Sequence, residues 1–113
     1  MTVYSVTEAF VTWLTSLGYK ASTYPPASGS EFVTVERTGG STVDVIDHPT
    51  IAIQTWAQTE PRAEEMANSI RFSTLTSLPV GVASIRVDSL YPFWDESTKL
   101  PRYQLVLNCT AQL

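Results

Sequence analysis

Two segments of the chain repeat apolar residues at the spacing of an amphipathic helix. The first stripe contains Val6, Ala9, Phe10, Trp13, Leu14 and Leu17. Ser5 and Glu8 have capping-box spacing at its start, and Gly18 suits the left-handed residue that ends a helix. The second stripe contains Ala63, Met66, Ala67 and Ile70. Thr59 or Glu60 is its predicted cap, Pro61 stands in its first turn, and Pro79 ends it after weak helix formers at 73–77.

Shorter segments that alternate apolar and polar residues predict β-strands. Residues 20–24 form a short candidate strand, and residues 25–30 follow as a loop rich in Pro, Ser and Gly. Residues 32–37, 42–46 and 51–58 are the next predicted strands. Gly39-Gly40 predicts a hairpin turn between the first two, and Asp47-His48-Pro49 predicts a break before the third.

The C-terminal part predicts a hairpin of two long strands. Ala83, Ile85, Val87, Ser89, Tyr91 and Phe93 share one predicted face. After a polar turn at 95–101, the last strand places Tyr103, Leu105, Leu107, Cys109, Ala111 and Leu113 on one face. The sequence therefore predicts one α+β domain over residues 1–113. The predicted domain consists of a mixed, mainly antiparallel β-sheet flanked by two helices, and its elements follow the order α-β-β-β-α-β-β.

Composition narrows the class of protein. The chain has 113 residues, which fits one domain, and 43% hydrophobic residues, which argues against disorder. The net charge is −4 without any basic cluster, so a nucleic-acid binder is not expected. Cys109 alone cannot form an intrachain disulfide. We expect no signal peptide and no membrane span, and a chain that folds in a reducing cytoplasm.

The sequence offers little catalytic chemistry. His48 is the only histidine, and the adjacent Asp47 points elsewhere in an extended chain, so a surface turn position before Pro49 is the favoured interpretation. Asp44, Asp47 and His48 lack the spacing of calcium loops or zinc sites. The glutamates at 60, 64 and 65 are explained by a solvated first helical turn. We therefore expect no catalytic residue, no metal ion, no cofactor and no enzymatic activity.

Aromatic and arginine side chains are the candidates for protein contacts, because both residue types are enriched at interfaces. The candidate interface residues are Trp56, Arg62, Trp94, Arg102 and Tyr103. The alternative is that Trp56 and Tyr103 belong to the core and the arginines to ordinary surface. If Arg102 is an interface residue, Arg102→Glu is expected to weaken assembly while the monomer stays folded.

Three segments resemble the tail terminator, or tail completion, proteins of long-tailed bacteriophages. These are Phe32 to Gly40, the strand-to-helix segment from Asp47 to Ala67 with its Ile51-Ala52-Ile53-Gln54-Thr55-Trp56-Ala57, and Pro101-Arg102-Tyr103 at the entry to the last strand. The resemblance covers nearly the whole chain except the loop at 25–30, without a chemical signature. It implies a mixed sheet flanked by two helices.

The resemblance also implies a homo-oligomeric ring, usually a hexamer, at the head-proximal end of the virion tail. Such a ring caps the tail tube, stops its polymerisation and provides the docking surface for the head connector. DNA would pass through an acidic ring without specific binding, since like charges repel. The chain would be in the host cytoplasm during assembly. Alternatives are another phage neck protein, such as a head-closure or minor tail component, and a small α/β ligand-binding domain or enzyme with a polar pocket around His48.

Overall fold

The computed structural model describes residues 4–43, 45–97 and 99–112, which form two helices and five strands. The helices are α1 (Val6–Ser16) and α2 (Glu60–Ser73). The strands are β1 (Ala21–Ser22), β2 (Phe32–Val43), β3 (Ile46–Trp56), β4 (Val82–Pro92) and β5 (Arg102–Gln112).

The strands form one mixed sheet in the spatial order β1-β2-β3-β5-β4. The β1–β2 pair is parallel, and the pairs β2–β3, β3–β5 and β4–β5 are antiparallel. The predicted fold class is confirmed. The strands that make up the order differ in part. The short candidate at 20–24 contains β1, the segment at 32–37 and residues 42–43 belong to one strand, β2, and Ile46 already belongs to β3.

Both helices pack on the same face of the sheet. Phe10 and Leu14 of α1 and Met66 and Ile70 of α2 share a buried core with one face of the strands. That face carries Val33 and Val35 of β2, Ile51 and Ile53 of β3, and Leu105 and Leu107 of β5. Burying a side chain of this size stabilises the fold by about 1.5–3 kcal/mol.

The predicted starts of the helices are confirmed. The Ser5 hydroxyl accepts the Glu8 backbone N–H at 3.2 Å, and the Thr59 hydroxyl accepts that of Arg62 at 3.3 Å. Each bond satisfies one of the free donors of a first helical turn. Gly18 has a φ of 100°, as its predicted place after α1 requires. Helix α2 ends at Ser73, which leaves residues 74–81 as a connection to β4.

The predictions for Gly39-Gly40 and for Asp47-His48-Pro49 are wrong. Strand β2 runs through both glycines with a bulge between Arg37 and Gly39, and β3 begins at Ile46, before Asp47. Gly40 pairs with Pro49 at a φ of 111°, where a Cβ atom would lie 2.2 Å from the His48 carbonyl oxygen. The glycine thus permits a close backbone approach inside the ladder instead of making the turn.

Pro49 lies inside β3, at a place where the pairing with β5 is interrupted. Asp47 and Thr50 have partners on β5, but His48 and Pro49 between them have none. The proline is tolerated there, because its missing N–H would have no partner on β5.

The predicted face of β4 is wrong at both ends, because two bulges shift the alternation. The bulge between Val82 and Ser84 puts Val82 in the core and leaves Ala83 exposed, and the bulge between Val87 and Ser89 reverses the faces beyond residue 87. Leu90 therefore packs against the core together with Ile85 and Val87. Tyr91 pairs with Gln104 on the opposite face. The predicted alternation of β5 is confirmed from Tyr103 to Ala111, and Leu113 lies outside the described residues.

Candidate interaction surfaces

The sheet face opposite the helices carries a row of stacked side chains across three strands and the residue after β4. Phe32, Trp56 and Arg102 are register partners on β2, β3 and β5. The rings of Phe32 and Trp56 stack with centroids 5.1 Å apart. The guanidinium carbon of Arg102 lies 4.6 Å from the Trp56 centroid and 4.2 Å from the Phe93 centroid. The Arg102 Nε–H donates to the Phe93 carbonyl at 2.7 Å.

A second row, of hydrogen-bonded side chains, crosses the same face two residues along each strand. The Thr34 hydroxyl donates to Gln54 Oε1 at 2.7 Å, and Gln54 Nε2 donates to Gln104 Oε1 at 2.8 Å. Gln104 Nε2 then donates to the Tyr91 hydroxyl at 2.6 Å. The Trp56 indole N–H joins the rows by donating to the Thr34 hydroxyl at 3.1 Å. The row satisfies polar groups that the fold buries, which would otherwise be costly.

A polar depression of about 460 Å³ lies over these rows. Its lining includes Glu36, Asp95 and Ser97 together with Trp56 and Arg102. This volume lies within the range of small-molecule sites. His48 lines none of five surface cavities found on the described residues.

Two of the five candidate interface residues have almost no accessible surface. Trp56 is 2% exposed and Tyr103 is 8% exposed. The Tyr103 hydroxyl lies 3.5 Å from a Glu60 oxygen and 3.4 Å from a Glu64 oxygen. Burial and the two carboxylates raise the pKa of Tyr103. An isolated chain therefore presents little of either ring to a partner.

Arg62 is exposed but engaged within its own chain. Its guanidinium binds both oxygens of Glu31, at 3.0 and 2.8 Å, and also binds Glu65. Hydrogen bonding to Glu31 raises the pKa of Arg62, and the same bond lowers the pKa of Glu31. The contact ties the loop before β2 to the first turns of α2.

Trp94 is the most exposed of the five candidates, since 58% of the residue is accessible. It borders a notch of about 130 Å³ lined by Glu60, Pro92, Trp94, Pro101 and Arg102. We call this surface the Trp94 notch. Glu64 lies one helical turn from Glu60, and both carboxylates are near the Tyr103 hydroxyl.

Two further groups of large apolar side chains are exposed, and neither was among the interface candidates predicted from the sequence. The hairpin-tip patch contains Val43, Val45 and Ile46, with Val45 at 74% exposure. The helix-end patch contains Phe72, Leu75, Leu78 and Val80, with Leu75 at 79% exposure. A sequence signal existed for the second group, because Phe72 and Leu75 do not belong to the predicted stripe of α2.

The charged residues near His48 form an ion pair. The Arg37 guanidinium binds Asp47 through two hydrogen bonds of 2.6 and 2.8 Å, and its Nε–H donates to the Gly39 carbonyl at 3.0 Å. Hydrogen bonding to Arg37 lowers the pKa of the Asp47 carboxyl. His48 itself lies in β3 and not in a turn.

Three other features considered from the sequence are a metal site, the Cys109 thiol and a membrane span. Among residues 4–43, 45–97 and 99–112, no three His, Cys, Asp or Glu side chains lie close enough to share a metal ion. Asp44, one of the three ligands considered, lies outside the described residues. Cys109 is buried in the core, which raises the pKa of its thiol to about 12. In the described part of the chain, neither helix has the length and apolar sequence needed to cross a bilayer.

No protein-family model matches this chain. No curated protein matches it significantly.

Proposed function

We propose that this chain is a structural subunit of a bacteriophage tail, a terminator that forms a homo-oligomeric ring on the last ring of the tail tube. The ring, a hexamer by resemblance, would stop tube polymerisation and provide the surface on which the head connector docks. DNA would pass through it without specific binding. The observation that carries the proposal is the exposure of large apolar side chains in three segments of one small domain.

The three groups are the Trp94 notch with Tyr91 and Phe93, the helix-end patch and the hairpin-tip patch. Exposed apolar residues that lie together often mark sites of protein interaction. A subunit of a closed ring needs two different surfaces for its neighbours, because head-to-tail contacts are heterologous. A ring that caps a tube needs a third surface for the axial partner. The presence of three such groups of exposed apolar residues fits this arrangement.

The resemblance in the sequence gives the proposal its particular identity. It implies a mixed sheet flanked by two helices, and the fold has this architecture. The same architecture serves other functions, so the fold supports the proposal without deciding it. Another neck component of the particle, such as a head-closure protein, would need similar surfaces.

The test is to measure the mass of the full chain over a wide concentration range, alone and with the tail tube protein of the same particle. We expect a closed ring under at least one condition, and tubes that stop growing when it is present. A chain that stays monomeric in both conditions and leaves tube growth unchanged would overturn the proposal. In the particle, loss of a terminator should give abnormally long tails, whereas loss of a head-closure protein should give unjoined heads.

A ligand-binding domain is the second candidate, and the polar depression over the stacked rows favours it. Its aromatic floor, carboxylates and hydroxyl groups are typical of a site for a small polar ligand. A monomer that binds a small molecule there, with shifted resonances at Trp56 and Arg102, would support this candidate instead.

A further inference from the structure

The two ends of helix α2 carry exposed apolar groups with charges of opposite sign. At the N-terminal end, the Trp94 notch lies beside Glu60, and Glu64 follows one turn later. At the C-terminal end, Arg71 stands in the last turn and is followed by the exposed Phe72 and Leu75. The first end thus carries an exposed indole and the carboxylates of Glu60 and Glu64, and the second carries apolar side chains and the guanidinium of Arg71.

The acidic end has room and charge for a guanidinium group. Within the described residues, neither Glu60 nor Glu64 has an ion-pair partner, since the nearby Arg62 binds Glu31 and Glu65. Arg102 also lines the notch, but its guanidinium is engaged by the rings of Trp56 and Phe93 and by the Phe93 carbonyl. Glu60 is the carboxylate that lines the notch, and Glu64 adds a second negative charge one helical turn away. The notch of about 130 Å³ holds the equivalent of roughly four water molecules, which suits the four heavy atoms of a guanidinium.

Arg71 cannot reach the notch of its own chain. It stands eleven positions after Glu60 on the same helix, which corresponds to about 16 Å along the helix axis. Within the described residues, Arg71 has no ion-pair partner, and its apolar neighbours are uncovered. A contact between the two ends therefore has to join different copies of the chain.

We infer that copies of this chain meet head to tail through α2, with Arg71, Phe72 and Leu75 of one copy against the Trp94 notch of the next. The inference rests on the proposed ring and assigns the contact between its subunits. Arg71 lies between the carboxylate of Glu60 and the face of the Trp94 indole, where an ion pair and a cation–π contact act together. Phe72 and Leu75 cover the remaining indole surface. Each copy uses both ends, as a closed ring requires.

Charge reversal tests this contact on the full-length chain. Arg71→Glu and Glu60→Arg, each alone, should raise the concentration needed for half-assembly by about tenfold or more, because each places like charges opposite each other. An equimolar mixture of the two variants should recover assembly in rings of alternating copies, since every contact then pairs opposite charges. Circular dichroism and thermal unfolding establish that each variant is folded.

Matched controls separate this contact from a general effect of charge. Arg86→Glu and Asp88→Arg each reverse an exposed charge on β4. Both should assemble like the unaltered chain. Rings that persist in both single variants, or folded variants that do not recover on mixing, would overturn the inference and leave the proposed ring intact. An unaltered chain that stays monomeric with and without tube protein would overturn both.

Discussion

Arg102 holds its guanidinium carbon 4.6 Å from the ring centroid of Trp56, its register partner on β3. The same guanidinium lies against Phe93, and its Nε–H donates to the Phe93 carbonyl. Arg102 therefore holds the start of the β4–β5 connection, at Phe93, against the sheet. This contact changes the expectation for Arg102→Glu, because the substitution would disturb the monomer as well as any interface.

Arg102→Ala should lower the free energy of unfolding by about 1–3 kcal/mol, the sum of a partly desolvated cation–π contact and one charge-assisted hydrogen bond. Urea denaturation followed by tryptophan fluorescence measures the effect. Arg86→Ala is the control, because Arg86 is an exposed arginine on the neighbouring strand. Equal stability of the two variants would mean that the stacking over Trp56 contributes nothing to the monomer.

Thr34→Val should lower the free energy of unfolding by about 1–3 kcal/mol, because it leaves the Trp56 indole N–H and the Gln54 amide oxygen without their partner in a buried row. The two side chains have nearly the same shape, so the change removes a hydroxyl and little packing. Thr110→Val on β5 is the matched control, since the Thr110 hydroxyl makes no hydrogen bond within the described residues. A shift in the indole N–H resonance of Trp56 would report the lost bond, and an unchanged resonance would contradict the prediction.

Elements fixed by local rules were predictable from the sequence. The stripes of α1 and α2, with hydroxyl caps at Ser5 and Thr59, depend on contacts within one or two turns. The alternation of β5 is equally direct, because this strand has one face on the core and no bulge in its pairing with β3 between Thr50 and Trp56.

Features that depend on pairing between strands were not predictable in the same way. The bulge between Val87 and Ser89 moves Tyr91 to the outer face, and no residue pattern within 82–92 predicts the position of either bulge of β4. The glycine pair at 39–40 has the composition of a turn. Strand β2 continues through it because Gly40 lies close against the backbone at Pro49, which only the paired strands reveal. The contact of Arg102 with Trp56 can be predicted only when the register of β3 and β5 is known. The pattern of residues within one strand does not contain this register.

The candidate surfaces were predictable only in part. Enrichment of aromatic residues at interfaces led to Trp94, which is exposed, and equally to Trp56, which is covered by its neighbours. Residue type cannot separate the two, because the difference arises from the strand on which each ring lies and from what stacks on it. Arg71 was missed because it has no local partner that marks it.

Gly40→Ala should loosen the end of the β2–β3 hairpin. The new Cβ would lie 2.2 Å from the His48 carbonyl oxygen and 2.7 Å from the Pro49 Cα, at a φ that only glycine adopts easily. We expect amide hydrogen exchange at residues 41–43 and 45–48 to accelerate about ten- to a hundredfold, since such strain costs about 1–3 kcal/mol. Gly39→Ala is the control, because its Cβ meets nothing within 4 Å. The prediction fails if both variants exchange alike.

Asp47→Asn should remove a pH-dependent part of the stability. Hydrogen bonding to Arg37 lowers the pKa of the Asp47 carboxyl in the folded chain. The folded state therefore binds this proton less readily than the unfolded state, so the stabilisation is fully present above the unfolded pKa, about 4. It is lost as the pH falls through the lower folded pKa. At pH 7 we expect Asp47→Asn to reduce the free energy of unfolding by about 1–3 kcal/mol, because Asp47 is largely buried and Arg37 is partly exposed.

The difference between the Asp47→Asn variant and the unaltered chain should shrink once the pH falls below about 4, because protonated Asp47 no longer forms the ion pair. Urea denaturation at pH 7 and at a series of lower pH values measures this convergence. Asp88→Asn serves as the control, since Asp88 is an exposed carboxylate on β4 whose loss should change stability little at any pH. A destabilisation by Asp47→Asn that stays constant down to the lowest pH would show that the side chain acts through neutral hydrogen bonds, and that its charge contributes nothing.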